Sequence, residues 1–126
     1  MSELKKNLAE IKRLKGLMTS TEQEIETRTR QIEQYQDKIQ ALDEDCQNLS
    51  RERESAISNG DELALEKIRS REQAANGKKS DLLEIVASLN AKIQSLSAEV
   101  IKLRDVGIPK AERQLWKSEA QKMQAE

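Results

Sequence analysis

The sequence predicts an all-α protein, a long antiparallel helical hairpin or coiled coil with a short C-terminal helix, assembling as an oligomer. Three observations predict it. The chain is charge-rich and aromatic-poor, with 36% charged and 2% aromatic residues and no Phe. Such a composition belongs to a disordered chain or to a long helix assembly, because it cannot fill a mixed globular core. A strong seven-residue apolar repeat decides for helices. Short Asn-Gly breaks then divide the repeat into blocks that can fold back on one another.

The first helix is expected over about residues 3–58. Steps of seven from Leu4 give Ile11, Met18, Ile25, Ile32, Ile39, Cys46 and Arg53. Three residues after each lie Asn7, Leu14, Thr21, Arg28, Tyr35, Leu42, Leu49 and Ala56. These are the a and d lines of a heptad. A helix of that length spans roughly 80 Å at about 1.5 Å per residue and cannot bury its stripe against itself. A partner helix is therefore required.

Asn59-Gly60-Asp61 is the first candidate turn, with Gly suited to a left-handed helix stop and Asp61 to a new N-cap. A second helix is expected over about 62–106. Asn76-Gly77 offers a possible break at 76–80, followed by a capping box between Asp81 and Glu84. Whether the chain turns at 59–61 or at 76–77 is open from sequence. The heptads return as Leu82, Leu89, Leu96 and Leu103 on one line and Val86, Ile93 and Val100 on the other. Ile85, Ala91, Ala98 and Ile101 widen the stripe, which suggests more than one neighbour. Gly107-Ile108-Pro109 reads as the end of that helix, with Pro109 opening a last helix over about 109–124. That helix has a weak face of Ala111, Leu115, Trp116, Ala120 and Met123. The whole reads as one elongated domain, 1–126.

Short connections favour antiparallel neighbours. A continuous parallel rod is the competing arrangement, since one Gly within a helix costs only about 1 kcal/mol. Either leaves apolar surface unmatched, so a homodimer or higher oligomer is expected. The expected interface is Ile11, Leu14, Met18, Ile25, Ile32, Tyr35, Ile39, Leu42, Cys46 and Leu49 from the first block. The second block adds Leu82, Val86, Leu89, Ile93, Leu96, Val100 and Leu103. Ile85, Ile101 and Trp116 are candidate contacts for another protein, although Trp116 reads first as a packing anchor.

Polar residues on the seam are expected to set register. Arg28 and Arg53 would pack their stems and extend their heads, Arg28 toward Glu24. Asn7 and Thr21 could act similarly. Cys46 reads as a small buried hydrophobe, since one cysteine supplies no internal disulfide and the acidic run Asp43, Glu44, Asp45 disfavours its thiolate. An interchain disulfide is the alternative.

The composition excludes several function classes. There is no His, hence no His-based triad or imidazole metal ligand. The four glycines are isolated and make no phosphate loop. No enzyme activity, cofactor, metal or small-molecule substrate is expected. The net charge of -1 argues against a dedicated nucleic-acid binder. The charge is nonetheless uneven, with five basic and two acidic residues over 1–18 and three basic and eight acidic over 19–49. Lys5, Lys6, Lys12, Arg13 and Lys15 could meet phosphates or an anionic membrane. The membrane is disfavoured because no Trp or Phe lies nearby in sequence, and single-stranded nucleic acid because Tyr35 is the only nearby stacking aromatic. No run of roughly 20 apolar residues and no signal peptide is read, so a cytoplasmic location is expected.

The run Ile57-Ser58-Asn59-Gly60-Asp61-Glu62-Leu63-Ala64-Leu65-Glu66-Lys67-Ile68 resembles the helix–Gly-Asp–helix pattern of small helical-hairpin coiled-coil proteins of bacteria and their prophages. That resemblance covers about the middle tenth of the chain. It implies an accessory or structural role without an active site. In outline the hairpin is also similar to stalk-like accessory proteins of flagellar and type III export. The expected function is an oligomeric scaffold, spacer or adaptor. The alternative is a chaperone or export accessory that holds a partner's helix.

Overall fold

The computed structural model describes residues 2–125 of the chain. It is all-α. Helix α1 spans Glu3–Asn59 and helix α2 spans Glu62–Lys102. A π turn over Leu103–Gly107 leads into helix α3, Ile108–Ala125. The long helices pack against each other as a helical hairpin. Contacts group the residues into two compact units. One is Thr29–Ala91; the other comprises the residues up to Arg28 and those from Lys92 onward.

The start of α1 is capped by Ser2, whose hydroxyl accepts from the Lys5 N–H at 3.3 Å. Its end shows why the chain reverses at Gly60. Gly60 has φ +65°, a left-handed conformation that only glycine enters without strain. The Gly60 N–H donates to the Ile57 carbonyl at 3.2 Å, and the Asp61 N–H to the Ala56 carbonyl at 3.0 Å. This pair of bonds is the Schellman closure of a helix end. Asp61 at once caps α2, its carboxylate accepting from the Ala64 N–H at 3.1 Å. Two residues thus stop one helix and start the next.

Within the Thr29–Ala91 unit, Leu49, Ala56 and Ile68 form a buried cluster with Ala64 and Leu65 packed on it. Polar contacts continue the pairing away from the turn. Arg53 donates to Glu72 at 3.3 Å. The Cys46 thiol lies 3.7 Å from the Asn76 amide oxygen, and Lys79 is paired with Asp43.

The possible break at 76–80 does not occur, because α2 runs straight through it. Stepping back by seven from Leu82 gives Ala75 and Ile68, both buried. The seam is therefore unbroken, and its packing outweighs the roughly 1 kcal/mol that Gly77 costs a helix. Asp81 and Glu84 accordingly lie inside α2 and form no helix start.

The other unit holds the second departure from expectation. The chain does not end a helix at Gly107. The Ile108 N–H donates to the Leu103 carbonyl, the five-residue step of a π turn. Pro109 explains the need. It lacks an N–H, and in an α-helix its ring would press on the carbonyl of Asp105. The turn also resets the seam. Counting heptads onward from Val100 and Leu103 would place Gly107, Lys110, Gln114 and Lys117 inward. One additional residue puts Ile108 and Ala111, both buried, and Leu115, half-buried, there instead. Asn7 of α1 then bonds to α3, its amide donating to the Ser118 hydroxyl at 2.8 Å and the Gln114 carbonyl at 3.4 Å.

Candidate interaction surface

The seam residues are graded in burial. Of the expected interface, Ile11, Ile32, Leu49, Val86 and Leu96 are buried, with Leu96 the deepest at 4% exposure. Leu14, Met18, Ile25, Tyr35, Ile39, Leu42, Cys46, Leu82, Leu89, Ile93, Val100 and Leu103 are half-buried. Among the described residues no side chain is fully enclosed. Two helices can cover a stripe from one side only, so the rims of these side chains stay wet.

Several core members are absent from the expected interface: Thr21, Ala56, Ile68, Ala75, Ile108 and Ala111 are all buried. Thr21 tolerates burial because its hydroxyl donates to the Leu17 carbonyl at 2.8 Å. Ala75 and Ile68 were accessible by counting back through Asn76-Gly77. Ile108 and Ala111 become readable only after the π turn has shifted the count.

The polar seam residues differ from one another. Arg28 is half-buried and donates to Glu24 at 2.8 Å. Arg53 is exposed and reaches across to Glu72. Glu72 receives that bond on one oxygen, while its buried Oε1 has no hydrogen-bond partner. Lys38 sits 5.5 Å from the centre of the Tyr35 ring, within cation–π range. Hydrogen bonding to Asp43 raises the Lys79 ammonium above its ordinary value. Hydrogen bonding from Arg13 lowers the Glu10 carboxyl, and that from Arg104 lowers Asp105.

Apolar side chains also lie outside the seam. Leu83 and Ile85 of α2 flank it in the Thr29–Ala91 unit. In the other unit Leu8, Leu17, Ile101 and Val106 are exposed. Trp116 is no packing anchor: it is 66% exposed and Met123 77%. The weak face read along α3 is in fact two faces. Ala111 and Leu115 turn inward, whereas Trp116, Ala120 and Met123 face solvent.

Among the described residues, no group of three or more His, Cys, Asp and Glu side chains is placed to hold a metal ion. No helix among them is long and apolar enough to cross a membrane. No protein-family model, curated protein or solved structure matches the chain.

Proposed function

We propose that this chain is a non-enzymatic interaction protein, an antiparallel coiled coil that oligomerises and serves as a scaffold, spacer or adaptor in the cytoplasm. One observation carries the reading. Among the described residues ten large hydrophobic side chains stay exposed, and most of the expected seam residues are only half-buried. Association would remove both kinds of apolar surface from water, at about 25 cal/mol per Å². The opposed pairs Arg53–Glu72 and Lys79–Asp43 support the antiparallel register. A parallel in-register pairing of the same seam would set each of these residues against its own copy.

Light scattering over a concentration series tests the reading, with a mass above one chain expected at micromolar concentration. A mass of one chain throughout would remove the oligomer. The alternative, a chaperone or export accessory that holds a partner's helix, is favoured by the exposed Ile85 and Ile101 on α2. It predicts hydrogen-exchange protection of α2 that rises only when a partner is added.

A further inference from the structure

We propose that the outward face of α3 is a second helix–helix interface, occupied by α3 of a second copy running parallel to it. This rests on the oligomeric reading above and names its contact. The face repeats in heptads of its own. Arg113, Trp116, Ala120 and Met123 follow one another at steps of three and four, and all are exposed. They lie opposite Ile108, Ala111, Leu115 and Ser118, which the hairpin already uses. Packing within the chain therefore gives no reason for an exposed Trp there. An indole is a costly group to leave in water and is enriched where partners dock.

The flanks of this stripe select the occupant. With Arg113 and Ala120 at a and Trp116 and Met123 at d, the g positions are Glu112 and Glu119. The e positions are Lys110 and Lys117. One flank is acidic and the other basic. In a parallel pair each g residue faces the e residue five positions further along the other helix. Glu112 then meets the second copy's Lys117, and the two-fold repeats the contact. An antiparallel pair would set lysine flank against lysine flank. Arg113 at a allows a parallel in-register dimer with its guanidinium at the rim, and Ala120 leaves room for the indole.

Trp116 is the chain's only tryptophan, so its fluorescence reads this contact alone. On the full chain, emission should move to shorter wavelength as concentration and mass rise together. Lys117→Glu should weaken association about tenfold, since it replaces two attractive contacts by repulsive ones. Adding Glu112→Lys to it should restore association. Both positions are at or near the surface, and unchanged circular dichroism would establish that the hairpin persists. Association with unmoved Trp116 emission, indifferent to both variants, would overturn this interface while leaving the oligomer standing. A monomer at every concentration would remove both. An emission shift seen only with phosphatidylserine-containing vesicles would assign the stripe to a lipid surface and overturn the second copy.

Discussion

Replacing Gly60 and Gly77 by alanine gives effects of opposite sign, and the signs distinguish a hairpin from a continuous rod. Both glycines have open space where a Cβ would be added, so neither substitution clashes with a neighbour. At Gly60 the backbone is left-handed, a conformation that costs an L-residue about 1–2 kcal/mol. The lower entropy of an unfolded alanine returns roughly 0.4–1 kcal/mol. Gly60→Ala should therefore lose about 1 kcal/mol, and Gly60→Asn less, because Asn tolerates the left-handed region. Gly77 lies within α2, where alanine should gain about 0.8–1 kcal/mol. Urea unfolding at one fixed protein concentration, followed by circular dichroism, would separate the two variants by about 2 kcal/mol on these figures. In a continuous helix both positions are interior and both alanines stabilise. A Gly60→Ala chain at least as stable as the parent would refute the turn and the hairpin built on it.

Other predictions follow from the seam. Leu96→Ala, at the most deeply buried side chain, should cost about 2–3 kcal/mol in the same urea experiment. Ile32→Asp or Leu96→Asp should abolish cooperative melting, and an unchanged melt in both would contradict the seam. Arg53→Ala should cost about 1 kcal/mol, because it removes the hydrogen-bond partner of a half-buried carboxylate. Glu72→Leu should be neutral or stabilising, since it replaces an oxygen buried without a partner by apolar surface. Lys79 is raised by Asp43, so its contribution is complete at neutral pH and is lost as pH rises through the folded-state value. Lys79→Ala should accordingly flatten the alkaline limb of a stability-against-pH curve. Glu10 and Asp105 are lowered, so their contributions are complete at neutral pH and fade as acid protonates them. Asp105→Asn should make the acid limb shallower.

The all-α class and the line of the seam are legible in sequence because helix period and apolar period agree over long stretches. Ile11, Ile32 and Leu49 can be found by counting sevens, and each is buried. The turn is legible only as one of two candidates, since Gly60 suits a left-handed helix stop and Asp61 a new N-cap. What resists reading is competition between signals. Asn76-Gly77 has turn chemistry as good as Asn59-Gly60, but it lies between Ile68, Ala75 and Leu82, whose burial holds the helix through it. Trp116 and Leu115 share one apolar run in sequence, and only the phase of α3 shows that the two point apart. That phase is set by a hydrogen bond from residue 108 to residue 103, which no heptad count contains.

The π turn also makes chain length a determinant of surface chemistry. Over most of α2 a length change of one residue would rotate everything beyond it by about 100° and spoil the packing. Leu103–Gly107 is the place where such a residue has been absorbed. Removing one residue there, with Pro109 replaced so that ordinary helix can run through, would turn α3 about its own axis. Lys110, Gln114 and Lys117 would come to face the hairpin, and Leu115 would move toward the outside. Apart from Pro109 the residues of α3 would be unchanged, yet the protein would present a different exterior. For this segment, variation between related chains is therefore better compared by alignment gaps at the turn than by residue identities beyond it.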